Sequence, residues 1–273
     1  MKAIKPILLG VSLFSILPLG AQVFDKPRSL AEADSLDRVQ YRVLYQLDFI
    51  SDPTDREYVT QDQVRLDIGT QISKVYSLKH YQADSAATPL IETGQFPRKI
   101  VTDVVPPMIL YRGYPKAQDI TTDYRLPSAP VMSYVEPKPT LQWQVKPEKR
   151  EILGHSCQRA EVSFGGRQWI AWFTSEIPLS EGPYKFGGLP GLILEVADSE
   201  GDYRYTCIGI ANLSAGENIV RWKWNQRPTT RKELEKIIVQ LYANPEQAIK
   251  ALGGRMGFKG DPMLNLPYNP IEK

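Results

Sequence analysis

His155-Ser-Cys157 is a compact cluster of reactive side chains, and the rest of the chain decides how much chemistry it could support. Only two histidines are present, His80 and His155. A zinc or copper centre needs three or four converging His, Cys or carboxylate ligands. Neither histidine lies in a ligand spacing, so no metal and no cofactor are expected. Alternation puts His155 and Cys157 on one side of a strand, which suits a turn-end histidine beside a structural cysteine. Serine hydrolysis needs a nucleophile, a base and an orienting acid, and no G-x-S-x-G occurs. A thiol dyad of Cys157 or Cys207 with His155 or His80 fails if the cysteines are bridged. Paired carboxylates hydrolyse glycosides without histidine, and Glu176, Glu181, Glu195 and Asp198 flank one aromatic strand. In a chain with 31 acidic residues, solvated turn positions are the simpler reading. No catalytic residue is assigned.

Binding chemistry has more candidates. Trp169, Trp172, Tyr184, Trp222 and Trp224 could line a ligand groove, with core packing as the default for most. Trp222 and Trp224 are two apart and share a face; Trp169 and Trp172 are three apart and point to opposite faces of a regular strand. Beside them runs Gly182-Pro-Tyr-Lys-Phe-Gly-Gly-Leu-Pro-Gly-Leu-Ile193. This is no phosphate loop, because a Walker sequence needs G-x-x-x-x-G-K-[ST] before a helix, and Gly191 precedes a strand. Gly187 and Gly188 permit positive φ, Pro190 fixes its own, and Leu189, Leu192 and Ile193 anchor a tight reversal.

The elements that would position these residues are mostly strands. Val39 to Phe49 alternates as a half-buried strand; Val64, Leu66 and Ile68 begin another, and Ile72–Leu78 follows across a Gly69-Thr70 turn. "CQRAEVSF", Gly165-Gly166 and "RQWIAWFT" form a hairpin. Leu192–Ala197 and Tyr203–Ile210 form the next pair, and Asn218–Trp224 a further strand of the same meander. Nine prolines between residues 80 and 140 predict long loops, with short strands near 99–105 and 131–136. Leu30–Arg38 reads as a short helix. Thr230-Arg-Lys-Glu233 is a capping box before Leu234, Ile237, Ile238, Leu241 and Tyr242, one helical face. Asn244-Pro245 opens a second helix that Gly253-Gly254 stops. The expected fold is mainly β (α+β): a curved antiparallel β-meander, half-barrel-like, with C-terminal helices packed on or beside it.

The chain begins with Lys2, Lys5, an apolar run from Ile7 to Leu19, and Gly20-Ala21. This predicts a signal peptide over 1–21 cut before Gln22, a polar segment over 22–38 and a single β-rich domain over 39–273. No cysteine follows the apolar run, so no lipoprotein is expected, and no later segment is apolar enough to span a bilayer. Losing Lys2 and Lys5 brings the 33 basic residues level with the 31 acidic ones, which argues against a nucleic-acid partner. In an exported chain the even pair Cys157 and Cys207 suggests one disulfide, with two buried thiols as the alternative.

Gly188-Leu-Pro-Gly-Leu-Ile193, the frame around it from Trp143 to Ile210 and the terminal "YNPIEK" resemble the GLPGLI family of exported Gram-negative proteins. The resemblance covers most of residues 39–273. It implies a periplasmic or outer-membrane-associated protein without an established activity, often accompanying outer-membrane transport, and it carries over no catalytic residues. The layout also looks like lipoprotein-carrier half-barrels. Asp34-Ser-Leu and Asp84-Ser-Ala match a short O-glycosylation pattern of such bacteria. The expectation is a non-enzymatic module for an envelope partner protein or an apolar ligand; the alternatives are a carboxylate-dependent hydrolase and a purely structural component.

Overall fold

The computed structural model describes residues 26–95, 106–127, 129–213, 216–253 and 268–273. The signal peptide expected over 1–21 and the strand expected near 99–105 lie outside them. In chain order the strands are β1 (Ala33–Arg38), β2 (Tyr41–Phe49), β3 (Thr60–Ile68), β4 (Ser73–Ser77), β5 (Met108–Arg112), β6 (Asp119–Tyr124) and β7 (Val131–Pro137). They continue as β8 (Gln144–Ile152), β9 (His155–Phe164), β10 (Arg167–Thr174), β11 (Leu192–Asp198), β12 (Tyr203–Asn212), β13 (Asn218–Trp222) and β14 (Gln226–Pro228). Helix α1 (Leu78–Glu92) follows β4, and α2 (Arg231–Ala243) and α3 (Pro245–Ala251) follow β14.

Twelve strands form one sheet, in the order β14-β7-β6-β5-β4-β3-β2-β12-β11-β10-β9-β8. Two antiparallel meanders, β2 to β7 and β8 to β12, are joined where β2 pairs β12, Tyr45 opposite Cys207. Only β14 on β7 runs parallel. The sheet is mainly antiparallel and does not close into a barrel. Its exposed edge strand β8 carries Pro147, Lys146, Lys149 and Arg150 and a register irregularity, features that discourage pairing with another chain.

The core follows from period two. Val43, Tyr45, Leu47 and Phe49, then Val64, Leu66 and Ile68, then Trp169, Ala171 and Phe173 are buried in one cluster on one face. The segment after β10 folds into that face, and the sheet curls around it. Six strand spacings separate β5 from β10, about 29 Å on a flat sheet. Yet Arg112 of β5 donates to the Phe186 carbonyl at 2.7 Å, while the Phe186 ring lies 4.7 Å from Trp169 of β10. Helices α2 and α3 cover the β7 end, burying Leu234, Ile238, Leu241 and Ala248 against Met132 and Tyr134. The capping box at Thr230 and Glu233 is present as read from the sequence.

Four expectations change. Residues 33–38 form a strand rather than the end of a helix, because β13 leaves the meander and β1 pairs with it in a separate ribbon, Ala33 opposite Trp222. The described residues of 80–140 hold α1 and the strands β5 and β6 where long loops are expected, while β7 falls on the strand expected near 131–136: Pro106, Pro107, Pro115, Pro127, Pro130, Pro137 and Pro139 fall at strand ends and turns, where a missing N–H costs nothing. Pro89 lies inside α1 near its end. Cys157 and Cys207 are free and buried, not bridged; β9 and β12 are held apart by β10 and β11, so they cannot form a cross-strand pair. Gly187 shows no positive φ; Gly188 does, at +85°, as does the non-glycine Tyr184, at +53°.

On the outer face the β1–β13 ribbon covers a charged and aromatic layer. Lys74 Nζ lies 3.3 Å from the Trp222 ring centroid and donates to the Val220 carbonyl at 2.8 Å. Burial pulls its pKa down to about 7, against the attraction of Asp67 and Asp123. Arg221 grips Asp123 at 2.8 Å, which fastens the ribbon to β6.

Candidate functional site: a tyrosine-lined cleft

The loop between β10 and β11 is built to be buried. Phe186 is fully enclosed among the rings of Trp143, Phe164, Trp169 and Tyr184. Trp143 Nε1 donates to the Gly187 carbonyl at 2.8 Å. Gly191 passes so close to β10 that a Cβ there would sit 2.0 Å from the Thr174 carbonyl oxygen. Gly187 is confined by the Ser180 carbonyl, 3.0 Å from an added Cβ. Left-handed backbone at a bulky aromatic is unusual, and at Tyr184 it turns the ring toward the sheet.

The segment Tyr268–Lys273 locks against this loop. Lys185 Nζ lies 2.6 Å from Glu272 and 2.5 Å from Glu136; the Tyr184 hydroxyl donates to Glu272. Burial opposes ionisation of Glu272, but Lys185, the Tyr184 hydrogen bond and Arg231 outweigh it and hold the carboxyl below its usual range. Asn269 accepts from Arg167 at 2.6 Å and donates to the Ile50 carbonyl at 2.8 Å. The Lys273 N–H meets the Gly165 carbonyl at 2.7 Å. A Cβ on Gly165 or Gly166 would strike Glu272 or Lys273, so that hairpin pair serves the tail as well as the turn.

Sheet, loop and tail together enclose a cleft of about 100 Å³ on the inner face. Its floor takes alternate residues from five neighbouring strands: Met108 and Leu110, Val75 and Ser77, Asp62 and Val64, Leu47 and Phe49, Tyr203 and Tyr205. Its walls are Tyr124, Tyr184, Tyr242 of α2, and Tyr268 to Ile271. Burial raises the pKa of Tyr124, Tyr184, Tyr203, Tyr205 and Tyr268, so these hydroxyls stay protonated. The polar floor is Asp62, which accepts from Ser77 Oγ at 3.1 Å and from the Gln63 N–H at 2.8 Å.

Of the five aromatics picked from sequence, Tyr184 lines this cleft. Trp169 is core, and Trp172 points to the opposite face beneath Arg150, 4.2 Å from its ring centroid. Trp222 and Trp224 stack on each other at 5.1 Å in the outer layer. Leu189, Leu192 and Ile193 are buried anchors, while Pro190 is exposed. Sequence reasoning missed Asp62, Tyr203, Tyr205, Tyr242 and Tyr268. The available signal was Asp62 itself, an acid in the buried phase of Thr60, Asp62, Val64, Leu66 and Ile68.

The other candidate groups are dispersed. His155 Nδ1 and Glu176 meet at 2.7 Å near the surface, and the His155 hydrogen bond, then the Ser156 N–H, holds the Glu176 carboxyl below its usual range. Glu181 pairs with Arg112 at 2.5 Å, and Glu195 with Arg150 at 2.7 Å. Asp198, Glu200 and Asp202 approach one another closely enough to hold a metal ion, but Arg167 Nη1 reaches Asp198 at 2.6 Å and Asp202 at 2.9 Å. A guanidinium occupies the place a cation would take. Burial raises Cys157 and Cys207 to about 11, against nucleophilic use. Asp84 of the Asp84-Ser-Ala triplet is buried in α1 against Arg125, at 2.6 Å.

A family model described as a protein of unknown function, Porph_ging, matches residues 166–195, which are β10, the loop and the start of β11. No curated protein matches the chain. Among solved structures, PNGF-II in the P21 space group is similar over 75% of this chain and 34% of its own, with 12% identity and a TM-score of 0.50. PNGF-II in the C2 space group is similar over 75% and 33%, with 12% identity and a TM-score of 0.49. The chain therefore spans about a third of the length of these structures, and at such identity the likeness concerns the fold. No helix among the described residues is long and apolar enough to cross a membrane.

Proposed function

We propose that this chain is an exported, envelope-associated protein of the GLPGLI type that holds a small apolar group in the cleft on its curled sheet. The observation that carries the reading is the cleft lining, in which aromatic and aliphatic side chains surround about 100 Å³ of space. Ligand sites are concave, mostly apolar and supplied with a few fixed polar groups; Asp62, Ser77 and Asn269 are such groups here. A space of this size takes a head group or a ring rather than a whole lipid. Export is supported by the leader over residues 1–21.

The test pairs fractionation with ligand-observed NMR on the mature protein, using toluene as probe. The expected results are a chain beginning at Gln22 in the envelope or periplasmic fraction, and saturable one-site binding. Met108→Trp, which places an indole in the half-open floor, should weaken that binding at least tenfold and leave the melting temperature near wild type. An uncut chain in the cytoplasm would sink the export half. Absence of saturable binding, or equal binding by the Trp variant, would sink the cleft half.

A further inference from the structure

The lining of the cleft has a charge character as well as an apolar one. Six tyrosines and Phe49 line it through their side chains, the Tyr76 ring lying on the outer face with Trp222, and among the described residues that line it there is one carboxylate, Asp62, and no lysine, arginine or histidine. This differs from the rest of the inner face, where Arg112, Arg167 and Lys185 are all buried. Aromatic faces carry negative electrostatic potential and attract cations, most strongly where water is excluded, and rings grouped around a pocket recognise alkylated ammonium groups. Asp62 is 1% exposed, accepts from Ser77 Oγ and the Gln63 N–H, and its charge is felt by the neighbouring Tyr205, whose pKa burial and this charge together raise. Tyrosines kept protonated by burial add no competing negative charge but keep their ring faces.

From this the geometry points to an organic cation, a methylated or alkyl ammonium head group, as the preferred occupant of the cleft. The inference rests on the reading of the cleft as a binding site and names its ligand class. An inorganic ion is disfavoured, because small hard cations need several oxygen ligands, whereas the walls offer rings. The cavity of about 100 Å³ suits a compact head group.

The experiment is calorimetry on the mature protein with pentyltrimethylammonium, with its uncharged isostere in which carbon replaces nitrogen, and with hexanoate. The ammonium should bind at least tenfold more tightly than the isostere, and hexanoate most weakly. Asp62→Asn should shrink the ammonium preference severalfold and leave the isostere unchanged. Tyr242→Leu, which keeps apolar bulk but removes one ring, should do the same to a smaller extent, and it decides the matter if the Asp62 variant does not fold. An isostere that binds as well as the ammonium overturns the cation inference while leaving an apolar cleft intact. Failure of all three probes overturns both.

Discussion

Gly191 and Gly188 carry the same residue type for different reasons, and substitution separates them. An alanine at Gly191 would place its Cβ 2.0 Å from a carbonyl oxygen of β10, which is backbone and cannot move aside. Gly188 has φ +85°, but its nearest neighbour would be Trp143 Nε1 at 4.0 Å. Gly188→Ala should therefore cost about 1–2 kcal/mol, the left-handed penalty. Gly191→Ala should cost more than about 4 kcal/mol or prevent folding. Urea denaturation measures both; equal midpoints would show that conformation rather than contact governs the motif. The two cysteines make a second residue-scale prediction. Their raised pKa and burial should leave both unreactive toward a thiol dye in the folded protein at mildly alkaline pH. Unfolding without reductant should expose two thiols; finding none would mean a disulfide after all.

Between elements, the contact that decides most is the tail against the β10–β11 loop. Glu272 stands 6% exposed between Lys185 and Arg231. Its folded pKa lies below the unfolded value of 4.5, so its stabilisation is complete above that pH and is lost as pH falls through the folded value. Glu272→Gln should cost about 3–5 kcal/mol in neutral buffer, as expected for a buried pair that loses one partner. In acid the wild type and the variant should converge. An equal gap in both buffers would mean that packing, not charge, is what the substitution removes. This docking was only half legible in the sequence. "YNPIEK" stood out by its family spelling, yet no spacing says that it lies beside Gly165, because that contact joins residues more than a hundred positions apart. The strands with clean alternation, Tyr41–Phe49 and the Val64–Ile68 half of β3, could be read directly. Strands β5 and β6 were masked by prolines that punctuate their ends, whereas β7 fell where a strand near 131–136 was read, and β1 looked helical because its six residues, four of them polar, show no clear alternation until a partner strand gives them one. The cleft suffered the same way: Asp62 was visible as an acid out of place, whereas Tyr203, Tyr242 and Tyr268 come together only through tertiary packing.

At the scale of the whole molecule, two meanders meet at one seam, β2 on β12, and each alone would leave a raw edge there. The loop holding Phe186 fills the curl that the joined sheet makes, and helices α2 and α3 and the tail complete the inner face. One property of this arrangement concerns time rather than space. A ribosome delivers β2 long before β12, and Asn269 after every strand. Phe49 and Tyr203, which stack at 5.7 Å on the cleft floor, cannot meet until the seam closes, and Tyr268 supplies its wall later still. The emerging chain cannot acquire its cleft piecemeal. A copy that stops at residue 253 would carry all fourteen described strands and still be unable to hold anything.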